Sequence, residues 1–150
     1  MFGYSLIGKS KYDAHLCVRS NALIKNTGID HILLQVVLGG EFRGNFDGVN
    51  ITARMGDIVL MDYAKPFEIQ VSEGGTYSFA FDRTIISRIL NPQLLHGSVI
   101  RAATPLAIML TNMISTSLNI ASNSSVIETR SLEVDVIEFI GKRLAVNEFR

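Results

Sequence analysis

The stretch from Gly56 to Val71 limits the possible folds of this chain more than any other. Gly56-Asp57 is a turn signal, and the apolar run Ile58–Met61 follows it. After a polar corner that contains Pro66, apolar and polar residues alternate from Phe67 to Val71. A period of two indicates a strand with one buried face, and a proline at the corner removes no ladder hydrogen bond. The stretch therefore predicts two strands joined by a tight corner.

Similar alternation occurs on both sides of this stretch. The further predicted strands are His15–Arg19, 31–38, Glu41–Phe46, 49–54 and 77–82, and residues 1–12 are an arm or a lead-in strand. Gly39-Gly40, Asp47-Gly48 and Glu73-Gly74-Gly75 are turn signals between them, whereas Asn26-Thr27-Gly28 is typical of a loop. Seven or eight short strands at this spacing predict a β sandwich or barrel.

The periodicity changes from two to that of a helix after residue 82. Asp82 is placed to cap a short helix that ends near Leu90. Thr104-Pro105 predicts the start of an amphipathic helix that ends near Ala121. Ser125 and Glu128 form a capping box for a last helix that ends near Val146. The chain is thus predicted to be one α+β domain over residues 1–150, with a barrel at about 14–82 and helices at about 83–147.

Several of these motifs carry a family resemblance. The pattern Gly56-Asp57, two hydrophobic residues, Leu60, Asp62 and Pro66-Phe67 resembles the second half of the cupin barrel of AraC-type (AraC/XylS) bacterial transcription regulators. Residues 30–40 and Asp47-Gly48 match the paired strands and hairpin turn of that family, and the resemblance extends from about Ala14 to about Leu144.

The resemblance implies a jelly-roll type, cupin-like barrel followed by an α-helical hairpin. It also implies a cytoplasmic effector-sensing and dimerisation domain, whose regulator binds DNA through a C-terminal helix-turn-helix part. These 150 residues contain no such part and end directly after a helix, as one domain of a longer protein would. Two alternatives stay open: a stand-alone dimerisation antagonist of full-length partners, and a small cupin enzyme of the isomerase or dioxygenase type, with or without a metal.

Composition excludes several classes of protein. Lys and Arg number 14 and Asp and Glu number 14, so the chain lacks the basic excess of a free-standing DNA-binding protein. No apolar run approaches the ~18 residues that a membrane span needs, which predicts no membrane partner. Cys17 is the single cysteine. It fits a reducing compartment, and we predict that it is a buried strand thiol.

Neither metal chemistry nor catalysis is predicted. Cupin metalloenzymes use a His-x-His pair with further Glu and His ligands, whereas His15, His31 and His96 are scattered and Phe67 follows Pro66. Asp57 belongs to a turn, in which its carboxylate bonds nearby backbone N–H groups. We therefore expect no metal, no cofactor and no catalytic residue.

A small-molecule site is the more plausible function of the barrel. Small barrels of this type can enclose one ligand, and polar residues that interrupt apolar strands are candidates to line it. These residues are His15, Arg19 and Gln35, with Tyr77 as an aromatic wall. Arg19 is the first choice, because a strand arginine at the barrel mouth can pair with an anionic ligand.

The last helix has more apolar surface than one contact needs. Its polar side chains form a narrow strip of Ser131, Asp135, Glu138 and Lys142, and apolar residues cover most of the remaining circumference. One interpretation is a helix sunk deep in its own domain. The favoured one is a homodimer, in which the helix meets a second copy through Leu132, Val136, Phe139, Ile140 and Arg143.

Overall fold

Two antiparallel sheets and a helical C-terminal part make up the computed structural model, which describes residues 1–146. The strands are β1 (Leu6–Tyr12), β2 (His15–Arg19), β3 (Ile32–Gly39), β4 (Glu41–Phe46), β5 (Val49–Arg54), β6 (Ile58–Asp62), β7 (Phe67–Val71), β8 (Gly74–Phe81) and β9 (Ser98–Ile100). The helices are α1 (Asn21–Thr27), α2 (Arg83–Ile86), α3 (Pro105–Ser122) and α4 (Val126–Val146), with a short 3-10 helix at Pro92–Leu95. The predicted end of the helical part, residue 147, lies outside the described residues.

The predicted strand–corner–strand unit connects the two sheets. One sheet has the order β1-β8-β3-β6-β9 and the other has the order β2-β7-β4-β5, so the chain changes sheet between β6 and β7. Asp62 organises this corner, because its Oδ1 accepts a hydrogen bond from Ala64 N at 2.8 Å and its carbonyl accepts one from Lys65 N at 3.0 Å. Two antiparallel sheets that face each other are the cupin-like, jelly-roll type of barrel that the sequence predicts.

The five-stranded sheet separates two apolar cores, because both of its faces are covered. On its inner face, Leu33, Val37, Val59 and Met61 pack against Phe42, Ile69 and other residues of the four-stranded sheet. On its outer face, Ile32, Leu34, Leu60, Phe79 and Phe81 pack against α2, α3 and α4. Alternate residues of β3 and β8 therefore belong to different cores, as the period of a strand requires.

The two long helices begin where their caps predict. Thr104 Oγ1 accepts a hydrogen bond from Ala107 N at 3.3 Å at the start of α3. Before α4, Ser125 N donates to Glu128 Oε1 at 2.9 Å and Glu128 N donates to Ser125 Oγ at 3.2 Å, which is a complete capping box. These bonds hold the pKa of the exposed Glu128 below its ordinary value.

Four details differ from the sequence predictions. The barrel begins at Leu6 instead of about residue 14, because β1 pairs with β8 along its whole length. Residues 21–27 form α1 instead of a loop; Ser20 caps its N-terminus, and Gly28, with φ of 64°, ends it. Cys17 is exposed, because β2 is an edge strand. The short strand β9, which pairs with β6, was not predicted.

Candidate ligand-binding site between the two sheets

A small polar patch interrupts the inner face of the five-stranded sheet. Gln35 lies on β3 between Leu33 and Val37, which both face the other sheet, and it pairs in register with Ser78 on β8. Gln35 Nε2 donates a hydrogen bond to Ser78 Oγ at 3.2 Å, and Thr76 Oγ1 lies 3.4 Å from the same oxygen. The patch thus presents amide and hydroxyl groups in an otherwise apolar interior.

Solvent reaches this patch although it lies on central strands. Gln35, Ser78 and Ala80 all face the space between the sheets, yet each is only half-buried. Side chains that completely filled this space would bury all three residues. The packing of the two sheets therefore leaves these three residues partly accessible to solvent, as a ligand site requires.

The edge strands β1 and β2 form the rim of this space. Only Asp13 and Ala14 separate them, and the rings of Tyr12 and His15 meet edge to face with centroids 5.3 Å apart. Tyr12 is half-buried and packs against the inner core. Burial raises the pKa of its hydroxyl further above neutral pH, and the protonated hydroxyl can donate a hydrogen bond.

Arg19, the first choice for a ligand anchor, lies at this rim and already makes several contacts. Its side chain is buried, Nε donates to Tyr63 O and Nη2 donates to Ile29 O, both at 2.7 Å. The guanidinium also lies 4.8 Å from the centroid of the Tyr63 ring. These contacts fasten the segment after α1 to the β6–β7 corner. Arg19 thus has a structural role, and its role in ligand binding stays a prediction.

The structure does not bring all four predicted ligand residues together. His15 pairs in register with Val71 of the inner core, is exposed at the rim, and its Nδ1 lies 2.8 Å from Asp13 O. Tyr77 points to the opposite face of β8, where it packs against the outer core and Lys9 Nζ lies 5.9 Å from its ring centroid. Tyr77 therefore does not share the inter-sheet space with Gln35.

Tyr77 instead lines an open groove of about 640 Å³ at the glycine-rich end of β8. The other residues that line it are Lys9, Ser10, Lys11, Tyr12, Asp13, Leu38, Gly39, Glu73, Gly74 and Gly75. Two lysines and two carboxylates balance one another in this groove, so its charge alone selects no class of ligand.

Thr76, Ser78 and Tyr12 were not among the ligand residues predicted from the sequence. Thr76, Ser78 and Ala80 alternate with the large aromatic residues of β8. A run of small residues opposite aromatic ones indicates a strand face that leaves space beside it, and this signal was available in the sequence.

The three histidines lie in different environments. His31 precedes β3 and His15 lies on β2. The third, His96, is buried: its Nδ1 accepts a hydrogen bond from Asp62 N at 3.0 Å, and its Nε2 lies 2.9 Å from Pro66 O. Burial holds the pKa of His96 below its ordinary value, so its imidazole is neutral at pH 7. Within residues 1–146, no three His, Cys, Asp or Glu side chains group as metal ligands would.

The predicted interface residues of α4 divide into two groups. Leu132, Val136, Phe139 and Arg143 form a partly or fully exposed stripe with spacings of four, three and four residues, in which Val136 and Phe139 also pack against the outer core. Ile140 instead lies on the buried face of α4, with no exposed surface, among residues of the outer core. The prediction for Ile140 was wrong, because the chain's own barrel and helices already cover this side chain.

Asp57 has the structural role that its turn predicts. Its Oδ2 accepts a hydrogen bond from Arg54 N at 3.0 Å and its Oδ1 accepts one from Ala102 N at 2.8 Å. Arg101 Nη1 adds an ion pair with Oδ2 at 3.1 Å. The carboxylate thus ties the turn before β6 to the segment that leads into α3.

A cupin-like barrel with a half-buried polar patch on its inner face, followed by a helical hairpin, defines the class of domain. Residues 6–128 match the model of the AraC-binding-like domain, which covers most of the chain. The chain therefore belongs to the AraC-binding-like domain family. No match was found among curated protein sequences. Within residues 1–146, none of the helices has the length and apolar character that crossing a membrane requires.

Solved structures share this fold. The AraC-like transcriptional activator CuxR is 17% identical over 96% of this chain and 51% of its own chain, with a TM-score of 0.80. ToxT from Vibrio cholerae O395 is 10% identical over 96% of this chain and 58% of its own, with a TM-score of 0.53. Wild-type ToxT from strain SCE256 with bound unsaturated fatty acid is 8% identical over 97% and 59%, with a TM-score of 0.51. The chain thus spans about half the length of the CuxR chain that it resembles.

Proposed function

We propose that this chain is the effector-sensing and dimerisation domain of a cytoplasmic AraC-type transcriptional regulator. A small molecule binds between the two sheets, and a separate helix-turn-helix part of the regulator binds DNA. The observation that carries this proposal is the half-buried patch of Gln35 and Ser78 on the inner face of the five-stranded sheet. Membership of the AraC-binding-like domain family supports it.

We also propose that the domain is not an enzyme. The polar groups of the inter-sheet patch are an amide and hydroxyls, none of which has a neighbouring base in the hydrogen bonds of Gln35, Ser78 and Thr76. Such groups orient a ligand by hydrogen bonding, whereas nucleophilic or acid–base catalysis needs an activated group.

A thermal-shift screen tests the sensor function. The chain should be screened against sugars, aromatic acids and fatty acids; the fatty acids are included because one ToxT structure holds an unsaturated fatty acid. A ligand that binds only the folded state raises stability by ~2.7 kcal/mol at a hundredfold excess over its Kd. For a chain of this size, that gain corresponds to a rise in Tm of roughly 5 to 10 °C.

Two glutamines provide the test and its control. Gln35→Leu removes the amide from the inter-sheet patch and should abolish the ligand-induced rise in Tm. Gln70→Leu changes an exposed glutamine on β7 and should leave this rise unchanged. A ligand that stabilises Gln35→Leu as strongly as the wild type would place its binding elsewhere and contradict the proposal.

We also propose that α4 mediates a symmetric homodimer through the stripe of Leu132, Val136, Phe139 and Arg143. Leu132 is 43% exposed, although it lies beside the buried face of the helix. The Arg143 guanidinium lies 6.0 Å from the centroid of the Phe139 ring, which places a charged group at the end of an apolar contact. Spacings of four and three residues bring a stripe to one side of a helix, where it can meet the same stripe of a second copy.

Light scattering at tens of micromolar tests this dimer. The wild type should have the mass of a dimer, and Phe139→Asp should be a folded monomer, because a charge in the apolar contact would be left unpaired. Ile127→Asp is the matched control: Ile127 lies on the same helix but is 89% exposed and outside the stripe, so this variant should stay dimeric. A monomeric wild type, or a Phe139→Asp variant that is folded and dimeric, would exclude this interface.

A further inference from the structure

The N-terminal residues fold back onto the last helix. The N-terminal hook, residues Phe2–Ser5, is closed by two backbone hydrogen bonds between Phe2 and Ser5, both 3.0 Å long. Gly3 N donates to Thr129 Oγ1 at 2.7 Å, and Tyr4 N donates to Glu133 Oε1 at 3.1 Å. The Ser5 hydroxyl donates to Glu133 Oε2. A buried hydroxyl and a buried carboxylate of α4 thus hold the hook in place.

A cavity of about 230 Å³ lies beside this hook, apart from the inter-sheet space. Tyr4 of the hook forms one wall. The other lining residues come from the start of α2 and the turn after it (Asp82, Thr84, Ile85 and Arg88) and from α4 (Arg130, Glu133, Val134 and Ile137). Three separate segments therefore enclose it, and its volume fits a compact small molecule.

Both carboxylates of the cavity already have hydrogen-bond donors. Asp82 Oδ1 accepts from Thr84 N at 2.7 Å and from Thr84 Oγ1 at 2.5 Å. These bonds hold the pKa of Asp82 below its ordinary value. Glu133 accepts from Tyr4, Ser5 and Arg130. Neither carboxylate therefore needs hydrogen-bond donors from a ligand.

The two arginines, in contrast, have donors to spare. Arg130 Nη1 bonds Glu133, and the guanidinium stacks 4.6 Å from the centroid of the Tyr4 ring, which leaves further N–H groups. Arg88 is exposed and makes no ion pair with any residue in the range 1–146. Two guanidinium groups that line one small cavity form a recognition site for a carboxylate.

We propose that this cavity is a second ligand site, which binds a small organic monocarboxylate. Arg88 and Arg130 bind the carboxylate, and Ile85, Val134, Ile137 and the Tyr4 ring surround its apolar body. Each guanidinium can bond a carboxylate through two N–H groups, and Asp82 and Glu133 in the same cavity repel the two charges of a phosphate dianion more strongly than the one charge of a monocarboxylate.

Cyclohexanecarboxylate and cyclohexanecarboxamide, which have the same shape, are the probes that test this site. Titration of the wild type in a buffer without carboxylate or phosphate should show saturable binding of the acid by calorimetry and by amide chemical-shift changes at Thr84, Arg130 and Ile137. The amide should bind at least tenfold more weakly, because it lacks the charge that the arginines recognise.

Two arginine variants separate this site from general electrostatic attraction. Arg88→Gln should weaken binding of the acid at least tenfold and leave the Tm without ligand unchanged, because Arg88 is exposed. Arg54→Gln, on the four-stranded sheet, should bind like the wild type. Equal binding of acid and amide, unchanged binding in Arg88→Gln, equally tight binding of inorganic phosphate, or no saturation at millimolar acid would each overturn the proposal. Gln35→Leu should bind the acid like the wild type, because it changes only the inter-sheet patch. A negative result at the inter-sheet patch can therefore be told apart from a negative result at this cavity.

Discussion

Arg83→Met should destabilise the domain strongly, because it leaves a buried carboxylate without its counterion. Asp62 is completely buried, and Arg83 binds it through two parallel bonds, Nη1–Oδ1 at 2.8 Å and Nη2–Oδ2 at 3.0 Å. Arg83 Nη1 also donates to Asp30 O at 3.0 Å. Without Arg83, the side chain of Asp62 retains one hydrogen bond, from Ala64 N.

The expected magnitude follows from burial. Removing one partner of a buried ion pair costs about 3 to 5 kcal/mol, since the remaining charge stays desolvated. The Arg101–Asp57 pair is the matched comparison, because it too joins an aspartate at one end of β6 to an arginine at or shortly before the start of a helix. There the Arg101 side chain is 59% exposed, and Asp57 keeps two backbone donors, so Arg101→Met should cost at most about 1 kcal/mol.

Urea denaturation monitored by circular dichroism, at one fixed protein concentration, measures both variants. A fixed concentration is needed because the proposed dimer would couple stability to concentration. Arg83→Met should lose at least about 2 kcal/mol more than Arg101→Met. The double variant Asp62→Leu/Arg83→Met should lose less stability than the two single variants lose when their losses are added, because no charge remains unpaired. Equal losses for Arg83→Met and Arg101→Met would refute the argument from burial.

Two further changes test the hook and the buried histidine. Gly3→Ala should lower the free energy of unfolding by roughly 2 to 3 kcal/mol, because Gly3 has φ of 57° and an added Cβ would collide with Glu133. Gly28→Ala is the control: Gly28 has φ of 64° but open space around it, so the loss should be only about 1 kcal/mol. Equal costs in urea denaturation would show that the hook does not constrain Gly3. His96 is neutral in the fold with a lowered pKa, so its stabilising contribution is complete above pH ~6.5 and is lost as the pH falls below that value. Wild type should therefore lose more stability than His96→Asn between pH 7.5 and pH 5.5, and parallel pH profiles would contradict this.

Local signals in the sequence predicted the strands of the opening stretch and the starts of both long helices. Pro66, the Thr104-Pro105 pair and the capping box of Ser125 and Glu128 act within a few residues, so no tertiary contact was needed to interpret them. The helix α1 was missed for the opposite reason. It buries none of its residues, so it has no apolar period, and only its caps at Ser20 and Gly28 indicate it.

The candidate site was only partly predictable, because alternation along a strand does not identify what covers each face. Both faces of β8 have other elements opposite them, the other sheet on one side and helices on the other. The alternation puts Tyr77 and Ser78 on opposite faces of β8, but it does not show which face meets the helices and which meets the other sheet. Ile140 is a similar case on α4: a helical wheel groups it with apolar residues, but only the tertiary structure shows that its own barrel covers it.

The strand β1 connects the two sites that we propose. It forms the rim of the inter-sheet space and continues, without a linker, from the hook that closes the second cavity. The inter-sheet patch itself depends on the bond between Gln35 of β3 and Ser78 of β8, neither of which pairs in register with a residue of the hook. Gly3→Ala should therefore abolish binding of cyclohexanecarboxylate, because Tyr4 leaves its position, while any ligand of the inter-sheet space still raises the Tm. Loss of both kinds of binding would mean that the hook also holds β1 in place, and the two sites would then act as one unit.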